Sequence, residues 1–409
     1  MAGFAMNQIE LRVGDSSWSV RIPKERLVTV QPSAPIAAPL ADLRAAVWDA
    51  LENPYHLNFP MRRALTPDDR VALVIDERLP QLGALLTEVL RYLASAGIGP
   101  ESVTIVTESS TGSQDWIDEL PDEFADVHTE NHQAGDRKQL SYLSSTKKGR
   151  RVYLNRTLVD ADQIVTISGR RYDPLLGYAG CEGSLFPGLS DEESRHATWG
   201  EFTANSASPD ASGIRAEAVE VASLLSSTIY LQVIEAGGDG IAHICAGLID
   251  SSNHSIRLLN DRWRFSLAEP VDIVLATIGM RASRVDFAAL ARAATCASRA
   301  VKHDGLIVLL TEAEPVLGNG MEMLRGLEEP ATALKLLSDK KPDDMPTAFA
   351  WASACEQAHL YLASGLRPET VEEIFATPIL SPGEVQRLVD LGGRCLVLPD
   401  AEKSLVVVE

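Results

Sequence analysis

Three polar loops in this sequence carry side chains whose types suit the binding or activation of a small anion. Each loop directly follows an apolar segment that has the pattern of a buried strand, at residues 71–75, 103–107 and 163–168. Because the carboxyl ends of parallel strands meet at one edge of a sheet, functional groups usually collect in the loops that follow them. We therefore expect the three loops to contribute to one site, in which guanidinium groups pair with the anion and carboxylates exchange protons.

The first two loops combine charged and hydroxyl side chains. Asp76, Glu77 and Arg78 follow the first strand, and Glu77 is a candidate acid or base. A solvated turn in which Asp76 caps the next helix is the alternative interpretation. The second loop offers the hydroxyls of Ser110 and Thr111 as hydrogen-bond donors to an anion, although small residues also build ordinary loops.

The third loop, residues 169–188, contains five glycines and two prolines, too many for a regular element. Such a backbone permits close approach to a ligand. Arg170 and Arg171 could clamp a carboxylate or phosphate there, whereas a structural crossover with exposed arginines is the alternative. Asp173 and Glu182 are candidate acids or bases if burial raises their pKa values towards neutrality.

Composition and charge exclude several classes of protein. The chain has 409 residues, with 37 Lys and Arg against 57 Asp and Glu, so its formal net charge is −20. That charge repels a nucleic-acid backbone. The longest apolar stretches, such as residues 271–278, are too short to span a bilayer, and residues 1–6 lack the features of a signal peptide. We therefore expect a cytoplasmic protein that binds neither nucleic acid nor membranes.

Cysteine and histidine usage gives no indication of a metal centre. The five cysteines are scattered singly, which argues for reduced thiols and against disulfides or a zinc ribbon. His128 and His132 are four residues apart, but they lie in an acidic stretch without a helical apolar stripe. The sequence therefore predicts no metal ligands. No Walker, dinucleotide-binding or nucleophile-elbow motif follows a strand either.

The order of apolar segments predicts the elements that must position these loops. Strands alternating with helices are typical of an α/β protein, and we expect two domains with mainly parallel sheets flanked by helices. We place the domains at residues 1–265 and 266–409, with a ligand cleft between them. A hairpin is predicted near residues 9–22, and the last strand at residues 395–398.

The third loop also resembles a known family. Residues 177–188, Gly-Tyr-Ala-Gly-Cys-Glu-Gly-Ser-Leu-Phe-Pro-Gly, are similar to the pattern Gly-Phe-Ser-Gly-Gly-x-Lys-x-x-x-Pro-Gly of lactate-racemase-like (LarA-like) proteins. Residues 159–165 resemble that family's Ala-Asp-x-x-Ile segment, and residues 71–80 resemble its strand ending in Asp-x-Thr-Arg-Pro. Residues 271–294 and 349–398 follow the order of elements in its second domain. The resemblance implies a two-domain α/β fold and descent from isomerases that racemise or epimerise 2-hydroxy acids.

The resemblance further implies a nickel-pincer nucleotide joined to a lysine, a histidine on nickel and two histidines that exchange the substrate's proton. This sequence lacks these groups at the corresponding positions. Gly183 stands at the place of the lysine and Trp199 at that of the nickel histidine. Asp173 replaces one catalytic histidine, residues 108–113 contain no histidine for the other, and Arg292 stands at the place of a substrate-binding lysine. Because glycine has no amine and tryptophan is a poor metal ligand, we expect the standard racemase chemistry to be lost or replaced.

Three hypotheses remain open. The first is a divergent member that binds a small hydroxy acid or related anion in the cleft, with its cofactor unknown and assembly into a homo-oligomer left open. The second is an active 2-hydroxy acid racemase or epimerase with relocated metal ligands, such as His196, Cys181 or Glu182. The third is a non-catalytic scaffold or regulatory protein. Under the first hypothesis, the residues expected to contact the ligand are Asp76, Arg78, Ser110, Thr111, Arg170, Arg171, Trp199 and Arg292.

Overall fold

A computed structural model describes residues 6–30, 38–108, 115–200, 212–225 and 228–409. Its strands are β1 (Met6–Val13), β2 (Ser16–Pro23), β3 (Leu27–Val28), β4 (Val71–Ile75), β5 (Val103–Thr107), β6 (His128–Asn131), β7 (Leu140–Ser145), β8 (Arg151–Asn155), β9 (Gln163–Gly169), β10 (Arg171–Asp173), β11 (Gly177–Ala179), β12 (Thr228–Glu235), β13 (Ile241–Gly247), β14 (Arg264–Leu267), β15 (Val271–Thr277), β16 (Val301–Leu310), β17 (His359–Ala363), β18 (Thr377–Pro378), β19 (Cys395–Leu398) and β20 (Leu405–Val408).

The helices separate most of these strands. They are α1 (Leu43–Glu52), α2 (Leu82–Ser95), α3 (Asp115–Asp118), α4 (Arg156–Asp160), α5 (Cys181–Leu185), α6 (Glu192–Gly200), α7 (Gly213–Ala222), α8 (Ser251–Trp263), α9 (Phe287–Ala300), α10 (Asn319–Glu322), α11 (Pro330–Lys340), α12 (Met345–Gln357), α13 (Pro368–Glu373) and α14 (Pro382–Asp390). None of the described helices combines the length and the apolar character needed to cross a bilayer.

The first sheet has the strand order β13-β12-β9-β4-β5-β6. Its neighbours pair in parallel, except that β13 is antiparallel to β12. Every residue of β4 is buried, because Leu73 packs with residues of α1 and α2 on one face while Val74 packs with residues of α4, α5 and α7 on the other. Burial on both faces explains the uninterrupted apolar run of this strand.

The second sheet is parallel throughout, in the order β18-β17-β16-β15-β19-β3. Helices α9 and α12 cover one face. The β1–β2 hairpin and α14 cover the other, where Val20 and Val385 join a cluster with Leu275 of β15. The first described strands therefore pack on the second sheet, although they precede the first sheet in the sequence.

The expected α/β architecture with mainly parallel sheets is confirmed, and the N-terminal hairpin forms as predicted. The division at residue 265 stays a prediction. The prediction that residues 169–188 form no regular element is wrong: β10 and β11 make a small hairpin, with Gly177 at φ 73° where β11 begins, and α5 follows. The final strand β20 was also missed; it lies beside β14.

Helix α8 was missed for a physical reason. Its inward positions are taken by Ser251, Ser252 and Ser255 before apolar residues appear at Ile256 and Leu259. The buried face therefore has helical spacing but lacks the apolar stripe by which an amphipathic helix is recognised in a sequence.

Candidate functional site

Asp76 begins the candidate site at the carboxyl end of β4. One oxygen lies 2.8 Å from Nη1 of Arg171, and the other accepts from Nε of Arg78 at 3.2 Å. The carboxylate also accepts the backbone N–H groups of Arg78 and Gly169. Burial alone would raise the pKa of Asp76, but the two guanidinium charges and the backbone donors outweigh burial and hold the pKa below its ordinary value. Asp76 is therefore an ionised residue that orders two arginines.

Arg78 and Glu77 extend this cluster. Arg78 Nη2 lies 3.7 Å from a carboxylate oxygen of Glu108, which also pairs with Arg195 at 3.2 Å. Glu77 accepts a hydrogen bond from the indole N–H of Trp116, and burial raises the pKa of Glu77. Each arginine of this cluster thus already faces a carboxylate. The predicted donors Ser110 and Thr111 lie outside the described residues.

Arg171 connects the cluster to the end of β12. Its Nη2 lies 3.6 Å from Oε1 of Glu235, beyond hydrogen-bonding distance, and has no hydrogen-bond partner among the described residues. Oε2 of Glu235 and Nε of Arg284 are buried without partners in the same part of the structure. Where three buried polar groups without hydrogen-bond partners lie close together, solvent or a ligand is needed to complete their hydrogen bonding.

Arg170, although adjacent to Arg171, points into the interior. Its guanidinium forms a two-point ion pair with Glu182, at 2.9 Å for each contact, and also donates to Ser255 Oγ and Ala179 O. Burial alone would raise the pKa of Glu182, but the Arg170 charge and hydrogen bonds lower the pKa to about 2. The pair is internally satisfied and has the environment of a structural ion pair.

A small cavity of about 40 Å³ lies between the β10–β11 hairpin, helix α9 and the segment that leads into β20. At about 10–15 Å³ for each water, it has room for a few water molecules. Its lining includes Tyr172 and Asp173 of β10 and Arg292 and Arg299 of α9. Asp173 Oδ1 accepts the backbone N–H groups at residues 175 and 176 and so fixes the turn that forms one wall.

Arg292 is the charged group that distinguishes this cavity. Its side chain is buried, with the residue 9% exposed, and its Nε–H donates to the backbone oxygen of Glu402 at 3.3 Å. Among the described residues it has no ion pair with a carboxylate. Burial lowers its pKa, Asp286 partly offsets that effect, and the positive charges of Arg171 and Arg78 lower the pKa further. A cation in this setting is stabilised by an anion that enters the cavity.

Comparisons with known proteins show what this chain is similar to. Residues 13–209 match the sequence profile of the lactate racemase N-terminal domain. That part of the chain therefore belongs to the lactate racemase N-terminal domain family. The lactate racemase apoprotein of Thermoanaerobacterium thermosaccharolyticum is similar in structure, with a TM-score of 0.80 and 19% identity over 98% of this chain and 100% of that one.

A second solved structure, a protein from Thermotoga maritima, is similar to this chain with a TM-score of 0.65 and 13% identity. That likeness covers 91% of this chain and 99% of the other. At such identities the two structures establish the fold. Among proteins with curated descriptions, none matches the sequence.

The residues of this chain do not fit a nickel-pincer nucleotide. Gly183 has no amine, and a Cβ atom at its position would lie 2.6 Å from Cδ1 of Leu176, so the space of a lysine side chain is filled. Trp199 is buried in the apolar cluster around α9, beside the His196 ring. No group of three His, Cys, Asp or Glu side chains in the described ranges could hold a metal ion.

The fold brings some predicted residues together and separates others. Asp76, Arg78 and Arg171 meet at one edge of the first sheet, and Asp173 and Arg292 meet at the cavity. Arg170 and Glu182 are directed into the core instead. Sequence reasoning missed Arg299 and Glu402. The spacing of Arg292, Thr295 and Arg299 places them on one face of α9 and was the available signal for Arg299, whereas nothing in the sequence linked Glu402 to that face.

Proposed function

We propose that this lactate-racemase-like chain binds a small carboxylate, of the hydroxy-acid or a related class, in the cavity between the β10–β11 hairpin and helix α9. Arg292 is the residue that pairs with the anion, and nickel-pincer chemistry is lost. The observation that carries the proposal is a buried guanidinium that lines a cavity and has no carboxylate partner among the described residues.

The cost of burying a charge supports this role for Arg292. A buried ion without a counter-ion is destabilising, by several kcal/mol for complete burial. Arg170 avoids that cost through Glu182, and Arg171 through Asp76. Arg292 has only a backbone oxygen to accept its Nε–H. A carboxylate from solution would supply the missing counter-charge, and the planar guanidinium is suited to its two oxygens.

The rest of the cavity suits a small, partly apolar acid. The hydroxyls of Thr295 and Ser404 donate to backbone oxygens, so their oxygens remain as acceptors for the hydroxyl group of a hydroxy acid. Leu175 and Leu405 contribute apolar surface. Its small volume favours a molecule with few heavy atoms over a nucleotide. Arg171 and Arg78 add positive potential near Arg292 without occupying the cavity lining.

Calorimetric titration tests the anion site. The panel contains D- and L-lactate, glycerate and malate, with lactamide as a neutral control, against the wild type and Arg292→Met. We expect carboxylate binding in the wild type that weakens by at least about 30-fold in the variant, as for truncation of one partner of a buried charge pair. Arg63→Met, which removes an exposed arginine, is the matched control and should bind like the wild type. Carboxylates that fail to bind, or that bind equally to Arg292→Met, contradict the proposal.

The loss of nickel-pincer chemistry has its own test. Protein produced together with the cofactor-maturation machinery is expected to contain no nickel by elemental analysis, because Gly183 and Leu176 leave no attachment point. Nickel at one equivalent per chain would contradict this part of the proposal and favour a racemase with relocated ligands.

A further inference from the structure

Helix α9 presents a second arginine to the cavity besides Arg292. The residues of α9 that line the cavity are Arg292, Thr295, Cys296 and Arg299. Side chains three, four and seven positions apart lie in one row on the same face of a helix. The guanidinium groups of Arg292 and Arg299 are therefore carried on the face of α9 that meets the cavity, although the proposed function uses only Arg292.

The two arginines lie at different depths. Arg292 is 9% exposed, whereas Arg299, in the last turn of α9, is half-buried and lies closer to solvent. Seven residues correspond to about 10.5 Å along a helix axis, and the flexible arginine side chains can shorten the distance between their guanidinium groups. One ligand can therefore contact both arginines if it is elongated and carries an acceptor at each end.

The charges of the cavity lining leave room for two negative groups on a ligand. Asp173 Oδ1 accepts two backbone N–H groups of its own turn, and the side-chain oxygens of Glu402 both accept the N–H of Gly279. Burial lowers the pKa values of Arg292 and Arg299, so a negative charge beside either guanidinium stabilises its charged form. A monocarboxylate supplies one such charge, and a dicarboxylate supplies two.

We infer that the ligand of this cavity is a dicarboxylate of the four-carbon class, whose inner carboxylate pairs with Arg292 and whose outer carboxylate pairs with Arg299. The inference rests on the proposed function, which places the inner carboxylate at Arg292. The small cavity needs to enclose only the inner part of such a molecule, because Arg299 is accessible to solvent. Arg299 is then the residue that selects a diacid over a monocarboxylic acid of the same length.

Calorimetric titration with malate and its two monoamides tests the inference, because each monoamide keeps one carboxylate and replaces the other by a neutral group. We expect the wild type to bind malate at least about fivefold more tightly than the better of the two monoamides. The ratio should fall to about one in Arg299→Met. Arg299→Lys keeps a positive charge and should retain part of the preference. Arg63→Met, which removes an exposed arginine, should keep the wild-type ratio.

The outcomes separate this inference from the proposed function. Carboxylate binding that requires Arg292 but does not favour malate over its monoamides, or a preference that Arg299→Met retains, overturns the role of Arg299 and leaves the anion site intact. Absence of any carboxylate binding overturns both.

Ionic strength gives a second readout that needs no variant. The ion pair at Arg299 is half-exposed, so salt should screen it. The preference of the wild type for malate should therefore decline between about 50 mM and about 500 mM salt. A preference that salt does not change contradicts an ion pair between the outer carboxylate and Arg299.

Discussion

Arg170 and Glu182 form a two-point ion pair that is shielded from solvent, with both contacts at 2.9 Å. The pair joins the end of β9 to α5, and Gly180 lets the Arg170 guanidinium lie directly against the backbone, where any Cβ atom would collide with it. Neighbouring residues of an extended chain point in opposite directions, so Arg171 turns towards Asp76 instead. Two adjacent arginines therefore serve different parts of the molecule.

Removing the charge of Glu182 is expected to destabilise the fold strongly. Glu182→Gln leaves Arg170 buried without a counter-ion, which should lower the free energy of unfolding by about 3–5 kcal/mol, measured by urea denaturation at neutral pH. Asp162→Asn breaks the exposed pair with Arg70 and should cost less than about 1 kcal/mol. Equal effects of the two substitutions would contradict a structural role for the buried pair.

Glu402 should make the stability depend on pH in the opposite sense to Glu182. Its folded pKa of about 7 lies above the ordinary 4.5, so its contribution is fully present below about pH 4.5 and is lost as the pH rises through about 7. Between about pH 5 and about pH 8, the free energy of unfolding of the wild type should therefore fall by up to about 3 kcal/mol relative to that of Glu402→Gln. Chemical denaturation at both pH values measures the difference, and a constant difference would count against a raised pKa.

The contribution of Glu182 to stability depends on pH in the opposite direction. Its folded pKa of about 2 lies below 4.5, so the stability that it contributes is present above about pH 4.5 and lost as the pH falls towards about 2.

Leu176 should oppose any side chain at position 183. Gly183→Ala places a Cβ atom 2.6 Å from Leu176 Cδ1, and we expect it to cost about 1–3 kcal/mol through overpacking. Combining it with Leu176→Ala should recover part of that cost in a double-mutant cycle. Gly213→Ala, where no atom lies within 4 Å of the new Cβ, is the control and should be neutral. If the changes in the free energy of unfolding caused by Gly183→Ala and Leu176→Ala simply add in the double variant, Leu176 does not fill this space.

The sequence predicted the elements whose burial is apolar. Strand β4 has a continuous apolar run because both of its faces are covered, and such a run predicts a buried strand from the sequence alone. Helix α8 could not be predicted from its pattern, because serines occupy several of its buried positions. The adjacency of Arg170 and Arg171 suggested one clamp for an anion, but the strand geometry places Arg170 in a core ion pair and Arg171 at the sheet edge.

The cavity shows why the rest of the site could not be predicted. Arg292 was identified through the family resemblance, whereas Glu402 contacts it from 110 residues away in the sequence. That contact depends on how the segment before β20 lies across α9, which no local pattern encodes. Tertiary packing also decides the ionisation of Glu402, since burial is the main cause of its raised pKa.

The packing of the N-terminal hairpin has a consequence for synthesis of the chain. Residues 6–23 leave the ribosome well before the strand β15 against which they pack, because that strand begins at Val271. At about 5–20 residues per second, the apolar face of the hairpin waits on the order of 10–50 seconds for its partner. The first sheet can be completed during that interval. During that interval the apolar face of the hairpin is open to non-specific association, against which a chaperone would protect it.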